Sequence, residues 1–299
     1  QNFSGVVSTE SKADFIVVPS SFGLATLTHE VGTDLKDQDL VSIVQGLVKP
    51  RKEPKTLPQA LIALKLQQAH QHITKFIIID IHPKIRDLKR SNEVFDFFWA
   101  DGLPLDSLEK AFPSCFLLLS ELYSVSKVSS QTSDEELARR GWLALNYALV
   151  FGYYLRLRPD SNPKKKDFSR DALARVVNDE KADWLEGVHL EAALNAFREL
   201  IGRNVTLPPD IASTPTLCEN LGAMLLSLLL SMPLIINSPT GCSKSLSMDI
   251  LRDNMQGPSS PQLFFRQLPR LVTTRYQSST SSTEGHVEEL YTHAYSLRD

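Results

Sequence analysis

A chain of 299 residues with 42% hydrophobic content can bury at least one full core and allows one to three domains. A net charge of -3 and an isoelectric point near 6.2 supply no broad positive surface, so nucleic acid is not an expected partner. Cys115, Cys218 and Cys242 lie far apart without metal-ligand spacing, which suggests free thiols in a reducing compartment and hence a cytoplasmic location. The first residue is Gln and no signal peptide is visible, so a piece of a longer protein is expected.

In chain order, residues 1–13 are polar and are expected to be a disordered end. Phe15-Ile16-Val17-Val18-Pro19 reads as a short strand closed by proline. Residues 20–49 have a helical pattern broken at Gly32 to Asp34, and the charged stretch from Lys49 to Pro58 is a solvated connection. A helix is predicted from Gln59 to about His72 on its content of Ala, Leu and Gln. Phe76-Ile77-Ile78-Ile79-Asp80 reads as a structural strand or extended segment. The next helix runs from Pro83 to about Trp99: proline suits its first turn, Asp80 can cap it, and Ile85, Leu88, Val94, Phe95 and Phe98 share a stripe. Further helices are predicted over about 112–125, 134–157, 169–182 and 184–201. The basic loop at 159–166 carries Lys164-Lys165-Lys166, read as a solvated tip.

The pattern changes after Pro208-Pro209. A helix at about 215–231 leads into an apolar strand, Leu234-Ile235-Ile236. The whole apolar run from Leu221 to Ile236 is interrupted by Ser227, Ser231 and Pro233 and falls short of the roughly 20 residues a spanning helix needs, so no transmembrane segment is expected. A helix from Ser245 to Met255, a proline-rich loop at 256–270, a second strand at 271–276 and an amphipathic helix at 283–296 complete the chain, with Thr283 or Ser282 as the last cap. An all-helical middle is thus followed by strand–turn–helix–strand, the opening of an α/β unit.

Ser238-Pro239-Thr240-Gly241-Cys242-Ser243-Lys244-Ser245 occupies that turn. It matches the phosphate-loop pattern G-x-x-x-x-G-K-[ST] at Lys244 and Ser245, while both outer glycines are serine, at Ser238 and Ser243. The chemistry needs these residue types. Backbone N–H groups at the turn and the helix start face phosphate oxygens. Gly241 permits a positive φ, Lys244 neutralises the β- and γ-phosphates, and Ser245 offers its hydroxyl to Mg²⁺. A left-handed backbone at Ser243 would cost on the order of 1 kcal/mol. Hydrolysis also needs an apolar strand ending in Asp-Glu after the loop. None is read between Leu246 and Asp299, and Phe76–Asp80 has Ile81 where the glutamate belongs. The segment alone is expected to be catalytically incomplete.

Several stretches carry a family resemblance in order and spacing: Leu207-Pro208-Pro209-Asp210-Ile211-Ala212, Leu217-Cys218-Glu219-Asn220-Leu221, Met232-Pro233-Leu234, Gly241-Cys242-Ser243-Lys244-Ser245-Leu246-Ser247 and Met255-Gln256-Gly257. They resemble the mysterin family, giant proteins in which tandem dynein-like AAA+ ATPase units are joined to a RING-bearing ubiquitin ligase. Tyr276 to Gly285 is similar to that family's second strand and following turn. Upstream, Ile85-Arg86-Asp87-Leu88-Lys89-Arg90 looks like the Leu-Arg-Asp-Val/Leu-x-Arg signature of the helical lid. Phe15 to Pro19 and Val31 to Leu35 resemble the linker into the lid. Leu143-Ala144-Leu145 and Tyr153-Tyr154-Leu155-Arg156-Leu157 match its long helix.

The resemblance implies an α/β fold with a large all-helical part. Residues 14–205 would be the AAA+ lid of one P-loop NTPase unit, and 206–299 the truncated N-terminal half of the next. It implies ATP held by Gly241, Cys242, Ser243, Lys244, Ser245 and Leu246, with Mg²⁺ at Ser245. Lys244 takes a catalytic role, and Arg86 is a sensor for the γ-phosphate of the preceding unit's nucleotide. Implied partners are ATP, neighbouring AAA+ units of the same chain and, through a RING elsewhere in the parent, a ubiquitin-conjugating enzyme. The implied parent activities are ATP hydrolysis and ubiquitin-protein transfer. Ser238 departs from the glycine usual in the family and counts against tight binding. Two alternatives stay open: a nucleotide-dependent scaffold that binds ATP without appreciable hydrolysis, and a degenerate unit without nucleotide.

Overall fold

The computed structural model describes residues 59–75, 85–100, 103, 105–111, 116–126, 133–157, 169–179, 185–236, 241–277, 279 and 281–296. The readings made at residues 1–58, at Phe76–Asp80, at Lys164–Lys166 and at Ser238 lie outside them. The chain divides into two compact units, one of residues 27–200 and a second that includes residues 201–299.

The first unit contains α1 (Gln59–Lys75), α2 (Ile85–Trp99), α3 (Leu105–Ala111), α4 (Phe116–Val125), α5 (Asp134–Gly152), α6 (Arg170–Val177) and most of α7 (Leu190–Asn204). Helix α5 is its axis. Ser133 caps it by accepting from Glu136 N–H at 3.2 Å, and Asp134, Glu135 and Glu136 place negative charge on the first turn. Its middle, including Leu143, Leu145, Tyr147 and Leu149, is buried, as a helix apolar on every side must be. Phe98 of α2 lies 4.6 Å from the Tyr147 ring, and Phe197 of α7 lies 4.9 Å from Phe151. Gly152 lets α2 approach: a Cβ there would stand 2.0 Å from Ser91 Oγ. Arg140, 1% exposed, donates to the Leu103 carbonyl at 2.6 Å and to Tyr123 Oη at 3.3 Å, and lies over the Tyr123 ring.

Three boundaries differ from the sequence reading, each for a local reason. Helix α5 stops at Gly152 rather than continuing to 157. Tyr153 leaves helical geometry at φ -134°, a 3₁₀ turn spans Tyr154–Arg156, and Arg156 pairs with Asp87 at 2.8 Å. Helix α6 stops at Val177 because Asp179 closes a loop. Its N–H donates to Val188 O at 2.9 Å, and its carboxylate accepts from Val188 N–H and from Lys65 Nζ at 2.8 and 2.7 Å. Helix α7 starts at Leu190 rather than 184, and just ahead of it the His189 N–H donates to Asn146 Oδ1 at 2.8 Å. Of the helix expected over 112–125, α4 shows Phe116–Val125, and residues 112–115 lie outside the described residues.

His70 is 5% exposed, with Nδ1 3.2 Å from Tyr153 Oη. Burial lowers its pKa from 6.5 to about 4, although Asp87 pulls the other way. The folded state therefore favours neutral imidazole. This contribution to stability is complete above pH 6.5 and declines as pH falls from 6.5 toward 4, by on the order of 3 kcal/mol. Urea unfolding as a function of pH should show this slope, and His70→Gln should flatten it. An equally steep slope in the variant assigns the acid loss to other groups.

The second unit is built on α8 (Pro215–Leu229) and α9 (Lys244–Asn254), followed by a 3₁₀ turn, α10 (Leu263–Arg266) and α11 (Glu284–Ser296). Thr214 caps α8, accepting from Leu217 N–H at 3.2 Å, and Pro215 fits the first turn. Helices α8 and α9 pack together, and Leu221, Leu225, Met248, Ile250, Leu251 and Phe265 are buried. The far end of α9 is fastened by Asn254. Its amide donates to Thr206 O at 2.9 Å and accepts from Thr206 N–H at 2.8 Å. Thr283 directly precedes α11, and its N–H donates to His286 Nδ1 at 3.0 Å.

The two expected strands are absent: among the described residues every regular element is helical. Residues 232–236 and 271–277 are irregular, and Ile235 is 88% exposed. An apolar run becomes a strand only by pairing with another backbone. Here Leu271 N–H donates to Met255 O at 2.8 Å, and Arg275 pairs with Asp249 of α9. The α/β layer is thus not formed among the described residues, and the fold they show is helical.

Candidate phosphate-binding site

The turn before α9 has an unusual backbone. Gly241 has φ +85° and Ser243 has φ +58°, ψ 20°, both left-handed. Glycine tolerates this conformation, whereas serine carries a Cβ that is strained by it. Helix α9 begins at Lys244, directly after Ser243. Gly241 and Ser245 are exposed, while Cys242, Ser243, Lys244 and Leu246 are half-buried. Among the described residues, nothing lies within 4 Å of a Cβ built on Gly241.

Two side chains hold the carbonyls of this turn. Asn220 of α8 donates from its amide to Cys242 O at 3.0 Å. Ser247 of α9, fully buried, donates from Oγ to Ser243 O at 2.6 Å, and its own N–H donates to the same carbonyl at 2.8 Å. Sequence reading assigned no role to Asn220 or Ser247. No local signal pointed to Asn220, which is half-buried on α8 and meets a carbonyl 22 positions away. The start of a helix behind a left-handed turn directs its first N–H groups outward, an arrangement that can receive an anion.

The remaining candidate sits elsewhere. Arg86 is exposed in the first turn of α2, in the first unit, beside the buried Asp87 that pairs with Arg156. Burial and the charge of Arg86 lower the pKa of Arg90. A cleft of about 210 Å³, lined by Thr206, Pro208, Ile250, Asp253 and Asn254, opens at the C-terminal end of α9, away from the turn.

Residues 210–299 match the model of a family described as the RNF213 AAA domain, which makes this part of the chain an AAA domain. The human E3 ubiquitin-protein ligase RNF213 is 29% identical over 199 residues, 67% of this chain and 3% of that protein. A Dictyostelium discoideum protein named as an uncharacterized transmembrane protein is 23% identical over 225 residues, 70% of this chain and 4% of that protein. The chain is similar to this family over residues 210–299 and spans a few per cent of the length of these relatives. Among the described residues no helix is long and apolar enough to cross a membrane.

Proposed function

We propose that the second unit binds ATP through the turn at Gly241–Leu246, as part of the AAA+ core of a mysterin-like E3 ubiquitin-protein ligase. The observation that carries this reading is the pair of left-handed residues, Gly241 and Ser243, immediately ahead of the helix that starts with Lys244 and Ser245. These residues suit a polyphosphate, with N–H donors at the turn and a cation on the first residue of α9. Mg²⁺ would be met by the hydroxyl of Ser245, an exposed residue. When bound, the ion neutralises phosphate charge. Lys244 contributes a fixed cation, and Cys242 and Leu246 contribute backbone. ATP hydrolysis, ubiquitin transfer with a conjugating enzyme, cooperation with neighbouring AAA+ units, the sensor role of Arg86 and a cytoplasmic location belong to the same proposal. The ligase part is supported by the name of the human relative, and the rest by the family resemblance of the sequence.

Calorimetric titration of the chain with ATP, with and without Mg²⁺, tests the reading. Wild type should bind more tightly with the metal. Ser245→Ala should lose mainly that metal-dependent increment, because the change removes a single ligand hydroxyl. An unchanged increment in Ser245→Ala removes Mg²⁺ from this residue.

A further inference from the structure

We propose that Asn220 is a positioning residue that sets the direction of the turn's phosphate-facing N–H groups from the neighbouring helix. The inference rests on the phosphate-binding reading and adds a residue outside the motif. Its basis is the planarity of the peptide unit. In a trans peptide the C=O and the following N–H point in opposite directions, and no described peptide is cis. The Cys242 carbonyl is drawn toward α8 by the Asn220 amide at 3.0 Å, so the N–H of Ser243 must point away from α8. The Ser243 carbonyl is drawn down α9 by Ser247, so the N–H of Lys244 must point out of the helix start. Asn220 and Ser247 therefore orient consecutive donors, one from outside α9 and one from within it.

Ser247 acts through ordinary helix geometry, since its backbone N–H would seek the Ser243 carbonyl in any case. Asn220 does not. Its bond crosses from α8 to the turn, and it meets the turn between the two left-handed residues, where the peptide plane is least constrained by helix propagation. Without it the Cys242–Ser243 peptide is free to rotate, and the phosphate must then select one orientation at its own expense. The loss should appear as weaker anion binding rather than as unfolding, because Asn220 is only half-buried.

The test is calorimetric titration of ATP into the full chain for wild type, Asn220→Ala, Asn220→Asp and Lys244→Ala, with thermal melts of each. Asn220→Ala should bind ATP about five- to tenfold more weakly, the value of one preorganising hydrogen bond, and should melt close to wild type. Asn220→Asp supplies the readout that a packing role would not move. At pH 8 a carboxylate faces the Cys242 carbonyl, two acceptors oppose each other, and affinity should fall further. At pH 5 a growing share of the acid is protonated and regains a donor, so the affinity ratio to wild type at the same pH should narrow. Taking that ratio cancels the titration of ATP itself. If Asn220→Ala binds like wild type while Lys244→Ala is weakened, the positioning role is wrong and the phosphate site stands. A pH-independent Asn220→Asp ratio also overturns it, including where Asn220→Ala does not fold. If wild type binds no ATP, both readings fall together.

Discussion

Lys244→Ala should weaken ATP binding by roughly one to two decades, with or without Mg²⁺, and leave the fold intact. Lys244 is the first residue of α9 and is half-buried. A charge-assisted contact from such a position is worth about 1.5–3 kcal/mol, which sets the expected range. The metal does not rescue the variant, since Mg²⁺ and the ammonium neutralise different parts of the polyanion. Folding is spared because the α8–α9 core of Leu221, Leu225, Met248 and Leu251 does not include this side chain. The measurement is calorimetric titration beside Ser245→Ala, whose loss should be confined to the metal-dependent part. Equal affinity for wild type and Lys244→Ala reduces the turn to a helix cap.

Arg140→Met should destabilise the first unit by about 2–4 kcal/mol, the largest effect expected of a single substitution there. The guanidinium is 1% exposed and serves the Leu103 carbonyl, the Tyr123 hydroxyl and the Tyr123 ring face. Methionine keeps much of the volume, so the loss isolates polar contacts rather than a cavity. Opposing it is the release of a costly buried charge, which can make such replacements nearly neutral. We expect the contacts to win because the acceptors remain behind without their donor, and that cost exceeds the value of the bonds themselves. Tyr123→Phe should cost less, since Arg140 keeps the Leu103 carbonyl and the aromatic ring face, although Phe98 O loses the hydroxyl that donates to it at 2.9 Å. Urea unfolding of both single variants and the double variant gives the coupling. An unchanged midpoint for Arg140→Met shows that burying the guanidinium costs as much as its contacts return.

The helices were legible where an apolar stripe repeats over several turns, as in α2 and α5, because that periodicity is written into the residues that form the core. Their ends were less so. The stop of α6 depends on Asp179 meeting Lys65, a partner 114 positions away that no local pattern announces. The strand reading of Leu234-Ile235-Ile236 failed for a related reason: apolarity records a tendency to be covered, but a strand also needs a neighbour, and Ile235 has none covering it here. At the phosphate turn the motif pointed to Gly241, Lys244 and Ser245, and the left-handed backbone foreseen as a cost at Ser243 is present. The hold of Asn220 on Cys242 was not legible, since it depends on how α8 and the turn are juxtaposed.

The serine at position 243 separates two properties that usually travel together. In the folded chain its left-handed backbone costs on the order of 1 kcal/mol relative to glycine. In the unfolded chain the same Cβ removes conformations that glycine would explore, which returns about 0.4–1 kcal/mol on folding. The two nearly cancel, so exchanging Ser243 for glycine should leave the melting temperature almost where it was. What it changes is the breadth of the basin: a glycine turn would wander among peptide orientations of similar energy, and the serine turn is confined to few. Thermal robustness and stiffness of the turn are therefore set independently at this residue.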